Sequence, residues 1–186
     1  MKYLNVFGVT ILWSLISSIS LVHAQQSDAE SGQNYNITGN GRTAIIATER
    51  QKKGWYEGRY NYSPAVRAGD YIYVSGAVAS ARSSDGKPIS REEFKASVRR
   101  AFEGIKDILA AGGADINSII KITSFHVFDS PLISIDKNDQ VVAMAEVKNE
   151  YVGEPHPAWT AIGTTALLPD RGLVEIDVIV YDPQEK

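Results

Sequence analysis

The sequence contains no cysteine. That excludes disulfides, thiol nucleophiles, thiolate metal centres and a lipid-modified cysteine behind a leader. Histidine is scarce, with three in the chain. His126 and His156 show neither a paired HxH nor an HExxH spacing, so no metal site is expected. Positive charge is also in short supply: 19 Lys and Arg face 22 Asp and Glu, a net charge of −3, with no long run of either sign. Nucleic-acid binders usually carry a basic face or stripe, so no nucleic-acid partner is expected. Ser75-Gly76 lacks the G-x-S-x-G elbow of a serine hydrolase. No internal repeat is visible.

The one long apolar run lies at the N-terminus. Lys2 supplies a positive n-region, residues 6–22 are apolar apart from a few Ser, Thr and Gly, and Val22-His23-Ala24 ends in a small residue before Gln25. This is the pattern of a secretory signal peptide over residues 1–24. The protein is therefore expected to be exported, periplasmic or secreted, without stable membrane insertion after cleavage. An uncleaved anchor is the alternative, although the run is at the short limit of the ~17–25 residues that span a bilayer. Residues 25–42 are polar and glycine-rich without a hydrophobic period, and are expected to form a flexible tail. Asn36-Ile37-Thr38 within it is a formal glycosylation sequon, read as a chance match.

The remaining residues, 43–183, have the composition of one globular domain, with 44% hydrophobic and 22% charged residues in the chain. Residues 43–48 (TAIIAT) are a β-prone run. Residues 60–66 contain a turn at Ser63-Pro64, and residues 67–70 (RAGD) form a second turn feeding the strand 71–76. In that strand Tyr71, Tyr73 and Ser75 share one face and Ile72 and Val74 the other. Gly76 marks a bulge or a close backbone approach. Ser90 and Glu93 have capping-box spacing. Phe94, Val98, Phe102, Ile105 and Leu109 follow as one helical stripe, stopped by Gly112-Gly113. Residues 117–129 read as a strand, and 140–152 as a second helix ended by Gly153 and Pro155. Residues 156–181 read as two strands joined by a turn at residues 169–172. In the last strand Val174, Ile176, Val178 and Val180 form a core face. Leu173, Glu175, Asp177 and Ile179 form a mixed one, which meets water, meets another subunit or lines a site. The order β, β, β, α, β, α, β, β predicts an α+β domain: a mixed sheet with two helices on one face and the other face in need of a cover.

Ser63-Pro64-Ala65-Val66 through Tyr73-Val74-Ser75-Gly76, Ile108-Leu109-Ala110-Ala111-Gly112-Gly113, Ile120-Lys121-Ile122-Thr123-Ser124-Phe125, Pro157-Ala158, and Leu168-Pro169 before Leu173-Val174-Glu175-Ile176 together resemble the Rid family. This is the YjgF group of reactive-intermediate deaminases, also called the L-PSP endoribonuclease family. The resemblance covers roughly residues 43–181. It implies a chorismate-mutase-like subunit, a homotrimer with small-molecule pockets in clefts between subunits, and hydrolysis of enamines and imines to keto acids and ammonia without a cofactor. It also implies roles: Glu175 positions the attacking water, Ser75 and Tyr62 complete the substrate-binding pocket, and the residue after Pro157-Ala158 holds the substrate carboxylate.

That residue is arginine in the family pattern and Trp159 here. A guanidinium grips a carboxylate through two charge-assisted hydrogen bonds, whereas an indole offers one neutral donor. Amino-acid-derived imines are thus poor candidate substrates. Two readings of Trp159 stand level: a stacking floor for an aromatic or cationic ligand, or a filling that closes the site. Arg59 and Arg67 are candidate replacements for the clamp. The expected function is C=N hydrolysis of altered specificity; the alternative is a non-catalytic binding trimer. RNA cleavage fits poorly with the acidic balance and the export signal.

Overall fold

The computed structural model describes residues 35–83 and 85–184. The expected leader and tail residues up to 34 lie outside the described residues. The elements run β1 (Ile37–Gly39), β2 (Arg42–Ile45), α1 (Glu49–Gln51) continuing into a π-helical segment (Lys52–Tyr56), β3 (Ala65–Ala68) and β4 (Tyr71–Ser80). They continue with α2 (Arg91–Ala111), a 3-10 turn (Ile116–Ser118), β5 (Ile119–His126), α3 (Lys137–Tyr151), β6 (Ala158–Gly163) and β7 (Gly172–Tyr181).

The capping box forms as its spacing implies: the Ser90 hydroxyl accepts from the Glu93 amide and the Glu93 carboxylate from the Ser90 amide. The stripe of Phe94, Val98, Phe102, Ile105 and Leu109 is wholly buried. It lies in one core cluster with Met144 and Val147 of α3 and with Ile72, Val74, Ile122, Ile176, Val178 and Val180 of the sheet. The two long helices thus cover one sheet face, as expected, and the short α1 adds a third helix. Arg91 fastens them together at the surface through Asp139 (2.8 Å) and Glu146 (2.7 Å), and Arg99 through Glu150 (2.7 Å).

The sheet has seven strands in the order β1-β2-β3-β4-β7-β5-β6, with β5 and β6 parallel and every other pair antiparallel. The two strands expected over residues 156–181 are both present, but they do not pair with each other, because β5 lies between β6 and β7. The residues carry the reason: β7 buries alternate valines and isoleucine and belongs in the centre, whereas β6 is exposed except at Trp159 and belongs at an edge. Strand structure begins before residue 43, within the expected tail. Ile37–Gly39 folds back on Arg42–Ile45 through an Asn40-Gly41 turn with φ of 54° and 71°, the two positive values that a tight hairpin turn demands. Asn36 ties this hairpin down, accepting from the Ile46 amide and donating to the Ala111 carbonyl, each at 2.9 Å.

Candidate functional site

The site is set by an irregularity in β4. Ile72 pairs with Val180 and Val74 with Val178, but the next pair is Ala77 with Ile176. Two residues, Ser75 and Gly76, therefore stand opposite one, Asp177. This β-bulge inverts the alternation along β4. Ile72 and Val74 enter the core before it, and Ala79 and Ala81 after it. The bulge read from Gly76 is present, and so is the close approach: a methyl group there would stand 2.6 Å from both Cγ and Cδ of Glu175. Glycine at 76 lets the Glu175 side chain lie across the β4 backbone.

Glu175 pairs with Val78 on one side and Phe125 on the other, on the sheet face away from the long helices. It is part-buried, and among the described residues it has no hydrogen-bond or ion-pair partner. Burial raises its pKa above the usual carboxylate range, and the charge of Asp177 adds to the shift. Asp177 is two residues along on the same face, and its Oδ1 is sealed from solvent with no hydrogen-bond partner. Sequence reasoning placed Asp177 on the face of Glu175 without assigning it to the site. The i, i+2 spacing was the available signal.

Ser75 donates its hydroxyl to the Ser63 carbonyl (2.8 Å), and its amide to the Pro64 carbonyl (2.9 Å). Its Oγ keeps lone pairs but has committed its proton. Tyr62 is 39% exposed and stacks on Trp55 with ring centroids 5.7 Å apart and planes at 15°. Burial raises its phenol pKa, and the Glu175 charge, close enough to act on it, raises it further. The phenol thus stays protonated and able to donate. Glu175, Asp177, Ser75, Gly76 and Tyr62 form one neighbourhood.

Trp159 is not part of it. It pairs with Ile122, which pairs with Val178 of the core face, whereas Glu175 pairs with Phe125 on the opposite face. The indole packs against the core and donates to Ser124 Oγ at 2.9 Å. Ser124 Oγ meets His126 Nε2 at 2.9 Å, and His126 Nδ1 meets Gln140 Oε1 of α3 at 2.8 Å. Within a protomer the indole thus lies on the core side of β6, away from the Glu175 face. Arg67 is engaged by the Asp182 carboxylate and carbonyl and by the Gly112 carbonyl. Arg59 lies 5.7 Å over the Tyr60 ring.

Within one protomer the Glu175 neighbourhood is an open face. A half-open cleft of about 450 Å³ lies between β1–β3 and the segment reaching Ser63. It is lined by Ile37, Thr38, Arg42, Tyr56, Asn61 and Ser63 among others. Among the described residues no group of three or more His, Asp or Glu is arranged to hold a metal ion, and no helix is long and apolar enough to cross a membrane.

Residues 57–182 match the family described as endoribonuclease L-PSP. The chain belongs to this family. It is 37% identical over 145 residues to the RutC family protein YjgH of Escherichia coli K12, covering 77% of this chain and 98% of that one. A protein named 2-iminobutanoate/2-iminopropanoate deaminase, from Dermatophagoides farinae, is 28% identical over 120 residues, covering 64% of this chain and 84% of that one. The solved structure of YjgH superposes with a TM-score of 0.59 at 36% identity, covering 78% of this chain and all of that one. That of RidA from an Antarctic Psychrobacter gives 0.51 at 30% identity, covering 67% and 90%. The L-PSP match begins at residue 57, so the β1–β2 hairpin lies N-terminal to the matched segment.

Proposed function

We propose that this L-PSP family member is an exported hydrolase of C=N bonds, working as a homotrimer whose subunits close the open face around Glu175 into a small-molecule pocket. The observation that supports it is the partnerless, part-buried Glu175 carboxylate laid over Gly76 beside Ser75 and Tyr62. A carboxylate with a raised pKa and free lone pairs is suited to general-base work near neutral pH. Glu175 takes a proton from water as the hydroxyl adds to the imine carbon and the nitrogen is protonated. The resulting carbinolamine expels ammonia and leaves a carbonyl. Tyr62 is placed to donate to the substrate, and Ser75 Oγ to accept. No cofactor enters the scheme. RNA cleavage finds no support in a chain of net charge −3.

A second reading is a non-catalytic binding trimer. It is favoured by Trp159, which stands after Pro157-Ala158 with its indole spent on Ser124. Turnover of 2-iminobutanoate, generated in a coupled assay, separates the two. Hydrolysis above buffer that disappears in Glu175→Ala supports the enzyme. Rates equal to buffer for this and for carboxylate-free imines leave the binding module.

A further inference from the structure

The β1–β2 hairpin precedes the segment that matches the L-PSP family, residues 57–182. With β3 and the segment reaching Ser63 it walls the half-open cleft of about 450 Å³, a volume in the range of small-ligand sites. The floor is a cross-strand row: Ile37 pairs with Ala44 and Ala44 with Val66, so the three side chains share one sheet face. Arg42 precedes Ala44 by two residues on β2 and leaves the same face, about 7 Å along the strand at ~3.4 Å per residue. The opposite wall brings in Tyr56 and Asn61. Asn61 has a positive φ of 45°, and its Nδ2 donates to the Tyr56 carbonyl at 3.2 Å. A left-handed residue other than glycine costs backbone energy, and such strain collects where a site needs a fixed wall. Both walls belong to one protomer, so the cleft stands before any second subunit is added. Its lining carries a guanidinium and no carboxylate. A cation at one end of a short apolar row complements a short-chain carboxylate: Arg42 grips the head through two charge-assisted hydrogen bonds, and Ile37, Ala44 and Val66 cover the chain. The cleft is separate from the Glu175 neighbourhood, because β2 lies three strands from β7, about 14 Å across the sheet at ~4.8 Å per strand.

We infer that this cleft is a second small-molecule site, one that takes short-chain monocarboxylates with Arg42 as the anchor of the head group. It does not rest on the reading of Glu175 as a catalytic base. The test is a binding measurement on the full assembled protein at neutral pH, by calorimetry, with sodium hexanoate as the probe and hexanamide as its uncharged counterpart. The wild type is expected to bind hexanoate more tightly than hexanamide. Arg42→Gln should weaken hexanoate by about tenfold or more, as loss of a charge-assisted hydrogen bond implies, and leave hexanamide unchanged. Arg42→Lys, which keeps the charge without the planar fork, should fall between. Glu175→Gln should leave hexanoate affinity as it is. Equal affinity for the two probes, no binding of hexanoate, or equal hexanoate affinity in Arg42→Gln overturns the inference. Loss of hexanoate binding in Glu175→Gln also overturns it, by moving the carboxylate to the Glu175 neighbourhood. So does a changed assembly mass in Arg42→Gln by light scattering, which would make an acid of a second copy the partner of Arg42. Failure of imine hydrolysis alone would remove the catalytic reading and leave this one standing.

Discussion

The Glu175 carboxyl group occupies the space that a side chain at Gly76 would fill. The neighbour that a methyl group would meet is the far end of a flexible side chain rather than backbone, so the cheapest relief is for Glu175 to swing away. Gly76→Ala is therefore expected to keep the fold and displace the acid. Its melting temperature should stay close to that of the wild type. Imine turnover should fall by about 10²-fold or more, the usual worth of a positioned general base, as in Glu175→Gln. A large loss of melting temperature with retained turnover would contradict this.

Burial and Asp177 hold the Glu175 pKa above the usual carboxylate range. A carboxyl group that binds its proton more tightly when folded favours the folded state at low pH, and that contribution is lost as pH rises through the folded pKa. Glu175→Gln should therefore be more stable than the wild type at neutral pH, with the difference vanishing below the ordinary carboxylate range. Asp177→Asn should move the acid limb of any pH–rate profile to lower pH, part of the way because burial remains. Urea denaturation across pH, with a pH–rate profile, measures both.

Much of this site was legible because its residues obey local rules. The Ser90–Glu93 cap and the α2 stripe depend on neighbours within a few positions, and the bulge is signalled by Gly76 itself; each is found. The placement of β6 was not legible, since a turn at residues 169–172 looks the same whether the strands beside it pair or are parted by β5. Residues 37–42 read as tail because the hairpin is too short to show a hydrophobic period; its Asn40-Gly41 turn is the one local signal of it. The face of Trp159 followed from register with β5, a long-range fact that a family position could not supply.

Trp159 joins an indole, a hydroxyl, an imidazole and an amide in one buried chain from edge strand to α3. Trp159→Phe removes a donor to a buried Ser124 and should cost about 1 kcal/mol in urea denaturation, the usual net worth of such a bond, plus lost packing. Trp159→Arg would bring a guanidinium to the core face and should cost more, without gain in 2-iminobutanoate turnover. A rise in turnover would show that position 159 reaches the Glu175 face in the assembled protein. His126, whose pKa burial lowers, adds a pH dependence: stability is present above the ordinary histidine range and is lost as pH falls through it, because the unfolded chain takes up the proton more readily.

Asn36 fixes the hairpin through two hydrogen bonds, one to the Ile46 amide and one to the Ala111 carbonyl at the end of α2. Asn36→Ala should release residues 37–42 and cost about 1–2 kcal/mol for the pair. The Ile46 amide should lose protection in hydrogen exchange, while the α2 amides around Phe102 keep theirs. Equal protection at Ile46 would show that the strand pairing holds the hairpin without Asn36.

The helix pair is fastened at its surface by a charge network in which Glu146 receives Arg91 and Lys95. The hydrogen bond from Arg91 comes first among the causes that lower the Glu146 pKa to about 2. A depressed carboxylate stabilises the folded state above the ordinary carboxylate range, and that contribution is lost as pH falls through this range toward 2. Glu146 is exposed, so salt screens the network. Arg91→Ala should thus lower the melting temperature at neutral pH and low salt, by less in 1 M salt, and by least in strong acid. Glu146→Gln should reproduce that profile, and the double variant should fall short of the sum because both remove the same interaction. A loss unchanged by salt and pH would instead assign the Arg91 contribution to its packing between α2 and α3.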